Sequence, residues 1–234
     1  MLESLQRSEA THVKTNQTVN RATIRLLAGA VLLSSFAMHA DANLLTNGSF
    51  ELGTLVNDGN QTMTFNAGPT NITGWTAVGR QVSWIQAGNP FSLSAEDGSR
   101  FLDLTAYNTG APFGGVSQTI ATTAGLQYQL SFFLGSYTQL WGGPPVSILA
   151  SAGSTSQTFT VSTTSTASTW TPFSMQFTAG SSSTVITLTG AAGVEYIGLD
   201  NVSVDPAAAG VPEPATCILA GLGLIAAGLR RRFS

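Results

Sequence analysis

Between residues 75 and 204, apolar side chains recur at every second position in short runs. The stretch "YQLSFFL" sets Tyr128, Leu130, Phe132 and Leu134 on one side, and "FSMQF" does the same with Phe173, Met175 and Phe177. A two-residue period sends alternate side chains to opposite faces of a strand, so these runs predict half-buried β-strands. The pattern predicts strands at Trp75–Val78, Gln81–Ile85, Ser99–Leu104, Gly115–Thr119, Gln127–Leu134, Pro145–Ala150, Ser156–Val161, Thr171–Phe177, Thr184–Thr189 and Tyr196–Val204. Gly, Asn, Pro and Ser punctuate them. "SAGSTSQTFTVSTTSTASTW" is rich in Ser and Thr, yet alternation persists through Phe159 and Val161, which predicts strand and loop rather than a mucin-like stalk. With no helical stripe outside the two ends, the reading is all-β: a single β-sandwich of the jelly-roll type over residues 43–204.

The two ends break the pattern. Arg21 and Arg25 precede an apolar run, Leu26 to Ala37, and "ADAN" offers a small-x-small cut after Ala42. This predicts a secretory signal over residues 1–42, with a signal helix read by signal peptidase. The polar lead-in of residues 1–20 is either an extended n-region or sequence upstream of the real start. At the other end, residues 205–210 form a linker, and residues 211–234 read "VPEPATCILAGLGLIAAGLRRRFS". The uncharged run from Ala215 to Leu229 is a marginal transmembrane helix, since a span takes about 20 residues. Arg230, Arg231 and Arg232 then act as a membrane stop, holding the end cytoplasmic and residues 43–210 outside.

Composition narrows the chemistry. The chain is 43% hydrophobic and only 9% charged, well below the usual quarter. Its net charge of −3 gives no basic field for nucleic acid. Cys217 is the only cysteine, and His12 and His39 are the only histidines. Residues 43–208 hold no Lys, His or Cys; two arginines, Arg80 and Arg100, face eight acids and leave a charge of −6. That removes disulfides, Cys/His metal sites, Ser-His-Asp and Cys-His catalysis and a lysine base. Only carboxylates remain. Glu96 and Asp97 are expected to flank the turn "EDGS", and Asp103 falls on the next strand. A glycosidase needs two opposed carboxyl groups about 5–10 Å apart, and nothing in the sequence pairs these. The reading is therefore not an enzyme, with no cofactor required.

The tail resembles the PEP-CTERM sorting signal of Gram-negative bacteria: Val211, Pro212, Glu213 and Pro214, an apolar helix, then the arginine cluster. The resemblance implies an exosortase-type processing enzyme at the inner membrane. It also implies delivery to the cell envelope, surface or extracellular matrix in a biofilm or exopolysaccharide setting. In the body, "NLLTNGSFELG", "GW" at 74–75, "DGSRFLDL", "GGVSQTIATTAGLQYQLSF" and "IGLDNVSV" occur in the order found in galactose-binding-like jelly rolls. The body is most similar to bacterial surface proteins of the choice-of-anchor group. That resemblance implies a structural calcium tying the first strand to the last, with Glu51 and Asp200 as ligands. The alternative is that Glu51 caps a turn and Asp200 accepts backbone amides; Asn201 stands where related domains often carry a second acid.

Sugar binding is the function this points to. Tyr107, Phe113, Tyr137 and Trp141 fall in the loop-like stretches "LTAYNTGAPFGG" and "GSYTQLWGGPP". Exposed aromatic rings mark interfaces, so Trp141, Tyr137 and Tyr107 are the candidate ligand-binding residues. A ring folded back over the sandwich end is the competing reading, equal for Trp141 and preferred for the rest, while Trp75 reads as core. The expected protein is an exported, non-catalytic, carbohydrate-binding-like module with polysaccharide as its partner. The alternatives are a purely structural matrix protein and a carboxylate-dependent glycan hydrolase.

Overall fold

The structure, a computed structural model, describes residues 43–108, 110–137, 145–162, 168–194 and 196–207. The signal helix, the sorting motif Val211–Pro214, the membrane segment, the arginine stop Arg230–Arg232 and Trp141 lie outside the described residues.

Ten strands run in chain order: β1 Thr62–Pro69, β2 Thr76–Gln86, β3 Arg100–Asp103, β4 Gly114–Ala121, β5 Gln127–Ser136, β6 Val146–Ala152, β7 Thr155–Val161, β8 Thr169–Thr178, β9 Ser183–Ala192 and β10 Gly198–Pro206. All ten predicted runs fall on the last nine strands, because the first two predicted runs are one continuous β2. The unpredicted strand is β1, "TMTFNAGP", where only Met63 and Phe65 alternate before the run turns polar.

Continuity of β2 organises the sandwich. Along one edge it pairs with β1. Along the other, Thr76–Gly79 pair with β4 and Ser83–Gln86 pair with β3. One strand thus belongs to two layers. The first layer continues β2-β4-β9-β6-β7 and the second β2-β3-β10-β5-β8, every pair antiparallel. The predicted jelly-roll sandwich is the observed fold.

The inner faces form the main core. Trp84, Leu102, Leu130, Leu134, Ile148, Ile186 and Leu188 are fully buried, and removing this apolar surface from water is the main favourable term in folding. Phe132 meets Phe159 edge-on at 5.3 Å, and Phe159 meets Phe173 at 5.2 Å. These rings join β5 and β8 to β7 across the sandwich, at the edge where no backbone pairing closes it.

The second layer is also packed on its outer face. Ile85, Phe101 and Tyr196 form a separate apolar cluster with Leu93, Ala95, Tyr137 and Trp170. Phe101 precedes the inward Leu102 on β3, so alternation sends it outward. Trp170 and Tyr196 meet Phe101 edge-on at 5.8 and 6.1 Å. The floor beneath these rings is glycine. A Cβ at Gly135 would sit 2.7 Å from the Trp170 ring, and one at Gly198 would sit 2.3 Å from the Tyr196 hydroxyl. Two paired strands therefore omit side chains so that two large rings can lie down. The loop from residue 87 to 99 covers the cluster, held where Trp170 Nε1 donates to the Ser94 carbonyl.

Candidate functional site

Where that loop stops, the outer face opens into a pocket of about 120 Å³. Its floor is β2 and β3: Ser83 and Ile85 point outward from β2, and Asp103 lies opposite Ser83 in the register. Thr62 comes from β1, paired with Ile85. Phe91 and Leu93 come from the covering loop, and Ala106 and Tyr107 from the turn after β3.

Asp103 builds that turn. Its Oδ1 accepts from the Thr105 amide at 2.9 Å, the Thr105 hydroxyl at 2.8 Å and the Ile197 amide at 3.2 Å. Burial outweighs these bonds and pushes its pKa up to about 6. The turn presents Tyr107 to solvent, 61% exposed, yet the ring does not swing freely. Its hydroxyl donates to Asp58 Oδ2 at 3.2 Å, and the Thr62 hydroxyl donates to the same oxygen. Asp58 is held in turn by its own loop, "NDGNQ". Asn57 Oδ1 accepts from the Gly59 and Gln61 amides, and Asp58 Oδ1 accepts from the Asn60 amide. The Thr62 hydroxyl, ahead of its other partners, holds Asp58 below the usual carboxylate range. The arrangement is an exposed aromatic ring fixed at the backbone by Asp103 and at its tip by Asp58. Beside it lies a small pocket with Thr62, Ser83 and the Asp103 carboxyl set among Ile85, Leu93 and Phe91.

The structure separates the aromatic candidates. Tyr107 borders the pocket. Tyr137 is half-buried against the outer cluster, and Phe113 is buried in the main core. Trp75 is core as expected, its Nε1 donating to the Asn47 carbonyl at 2.8 Å. Asp103 reaches the pocket, whereas Glu96 and Asp97 lie at the "EDGS" turn. Asp58, Thr62 and Phe91 carry no sequence signal toward a site, because "NDGN" and "NPFS" read only as turns. The pairing of β1 with β2 is what brings the first two there.

Glu51 and Asp200 converge on one loop from opposite sides. Glu51 Oε1 accepts from the Ser99 and Arg100 amides at 2.7 and 2.6 Å, and Oε2 from the Ser99 hydroxyl at 2.9 Å. Asp200 Oδ2 accepts from the Glu96 and Asp97 amides at 2.8 and 3.0 Å, and Oδ1 from the Asn201 amide at 2.7 Å. Gly98 sits between them at φ +68, with the Glu51 carboxyl 2.6 Å from where a Cβ would stand; only glycine fits that approach. The N-terminal segment and the last strand are thus tied together through this loop by hydrogen bonds, and the donor set fits a loop clamp better than the calcium ion that the resemblance implied. Calcium takes six to eight oxygens, and each carboxylate already directs lone pairs at three N–H or O–H donors. Among the described residues no group of three or more His, Cys, Asp or Glu could hold a metal.

Residues 43–197 match the family described as "Protein of unknown function (DUF642)", and residues 210–232 match the PEP-CTERM protein-sorting motif. No curated protein is similar in sequence. Among solved structures, the chain is similar to TmCBM61 in complex with β-1,4-galactotriose, at 18% identity and TM-score 0.48 over 71% of this chain and 99% of that one. It is also similar to a family 35 carbohydrate binding module from Clostridium thermocellum, at 16% identity and TM-score 0.39 over 62% and 98%. A third is the CBM22-1 xylan-binding domain of Paenibacillus barcinonensis Xyn10C, at 18% and 0.38 over 65% and 97%. The family match spans well over half of the sequence: the chain belongs to the DUF642 family and carries, at its C-terminal end, the PEP-CTERM motif of an exported, surface-sorted protein.

Proposed function

We propose that this is a non-catalytic module that holds polysaccharide at the cell envelope or in the surrounding matrix, with the Tyr107 pocket as its sugar site. The observation that carries the reading is the Tyr107 ring, exposed yet fixed by Asp58, beside a pocket floored by Ser83 and Asp103. A sugar presents an apolar ring face and a rim of hydroxyls, which suits an aromatic platform with a few orienting polar groups. Delivery falls to the ends of the chain: signal peptidase at the front, and an exosortase-type enzyme acting near Val211–Pro214 once the apolar tail and Arg230–Arg232 have halted transfer at the inner membrane.

Hydrolysis is disfavoured although Asp58 and Asp103 both border the pocket region. Asp103 is the one carboxyl group among the pocket's lining residues, whereas glycoside hydrolysis takes an opposed pair. A glycan array probed with the exported protein tests the proposal. Neutral polysaccharides are expected to bind without release of reducing ends. Tyr107→Ala should weaken binding at least about tenfold, as loss of an aromatic anchor does, while the melting temperature stays within about two degrees, as for a surface residue. Binding that survives Tyr107→Ala moves the site elsewhere, and no glycan binding at all favours the purely structural matrix reading.

A further inference from the structure

The pocket is lined by one acidic group and no basic one, and a second acid stands behind its rim. Asp103 lines it, and Asp58 grips its rim through Tyr107 and Thr62. No arginine is among its lining residues. Among the described residues the only cations are Arg80 and Arg100. Arg100 is committed elsewhere: its Nη1 donates to the Glu51 carbonyl at 2.9 Å, and its guanidinium lies 4.8 Å from the centre of the buried Trp84 ring. Arg80 sits on β2 at the crossover between the two layers, outside the pocket lining. A carboxylate or sulfate group on a bound sugar would meet Asp58 and Asp103 with no guanidinium or ammonium to receive it. The wider field has the same sign, since residues 43–208 carry −6.

We propose that the Tyr107 pocket discriminates among glycans by charge, accepting neutral sugars and rejecting those that carry a carboxylate or sulfate. This rests on the reading of the pocket as a sugar site and adds its selectivity. The rejection comes from juxtaposed like charges, which bind poorly where no counter-charge is desolvated with them. It does not come from shape, so a sugar and its oxidised counterpart of nearly the same size should separate.

The test uses the exported protein and soluble galactan, mannan and β-glucan. Each is offered as the neutral polymer and as its C6-oxidised uronate form. The expected result is that whichever neutral polymers bind do so at least about tenfold more tightly than their oxidised forms, the scale of a like-charge penalty at close range. Because that penalty is electrostatic, the gap should narrow as salt is raised from about 0.05 to about 0.5 M, where the Debye length shortens. Asp58→Asn should also narrow the ratio between the two forms. Equal binding of both forms, lost together in Tyr107→Ala, overturns the charge selectivity and leaves the sugar site standing. A gap that salt does not change assigns the discrimination to shape and likewise overturns it. Failure of every polymer to bind overturns the sugar site itself, and the selectivity with it.

Discussion

The two outer faces of the sandwich are built from the same alternation and end differently. On the first layer the outward positions of β4, β9, β6 and β7 align as Ser117, Thr187, Ser151 and Ser156, with Thr189, Leu149 and Thr158 in the next row. Hydroxyls meet water there, and Val185 is 50% exposed. On the second layer the outward positions of β2, β3 and β8 are Ile85, Phe101 and Trp170, and Phe101 is fully buried. A period of two says that a strand has two faces; it does not say whether the second one is dry. The face is dried by a loop anchored from distant parts of the chain, by Asp200 and Glu51 at one end and by Trp170 in the middle. The pocket lies at the margin of that cover, where apolar walls and solvent meet.

The sharpest way to break this comparison is to truncate equivalent outward positions. Phe101→Ala should cost about 3–5 kcal/mol, as for a buried phenylalanine. Val185→Ala or Thr187→Ala on the other layer should stay within about 0.5 kcal/mol. Denaturant unfolding of the variants side by side measures both. A cost for Phe101→Ala near that of Val185→Ala would mean that the outer cluster is not a second core.

The clamp is the next largest effect, because it holds the cover down. Glu51→Ala leaves the part-buried Ser99 and Arg100 amides short of an acceptor and should cost about 1–2 kcal/mol, toward the lower end of the penalty for orphaned donors. Loosening the loop should also raise proteolysis within residues 87–99 before the strands are cut. Chelator should leave the melting temperature of the unmodified protein unchanged, because amide hydrogens satisfy these carboxylates. A fall of several degrees with chelator, reversed by added calcium, would restore the metal and make Glu51 and Asp200 its ligands.

Strands with clean alternation, such as β5 and β8, were legible in the sequence because their inward residues are large and evenly spaced. β1 was not, since its place is set by pairing with β2 rather than by its own two apolar residues. Trp75 could be placed in the core and Asp103 on its strand, but the pocket joins Asp58 and Tyr107, 49 residues apart. No local pattern encodes that contact. It follows from β1 lying along β2 and from a turn whose shape depends on a buried aspartate. Glu51 and Asp200 stand out in the sequence only as calcium ligands implied by a resemblance, while the groups they bind here, mostly backbone amides, have no letter in the sequence.

Protonation gives a smaller effect with a definite sign. Asp103 titrates at about 6 in the folded protein against an ordinary value of 3.8. Between those values the folded chain holds a proton that the unfolded chain has released, so stability falls as pH rises through that window. Asp200, raised to about 7 mainly by burial, acts in the same direction and extends the window upward. Asp58 is shifted the opposite way, so its contribution is lost only as pH falls below the ordinary carboxylate value. The melting temperature should therefore be higher near pH 5 than near pH 8, and Asp103→Asn should flatten the lower part of that slope. A rising melting temperature from pH 5 to pH 8 would mean that these two carboxyl groups are not buried as described.

The smallest effect separates a ring that is merely exposed from one that is held ready. Tyr107→Phe keeps the stacking face and deletes only the hydroxyl that Asp58 receives. Stability should move by no more than about 0.5 kcal/mol, because the residue is largely in water. Glycan affinity should still fall about two- to tenfold, since a ring no longer fixed must be ordered on binding, at about 0.5–1.5 kcal/mol for a side chain. The loss should lie well short of that in Tyr107→Ala, which removes the platform itself. Full affinity in Tyr107→Phe would show that the Asp58 contact does not prepare the ring. The contrast between the two outer faces would then rest on burial alone, with no contribution from a preset aromatic at the pocket's edge.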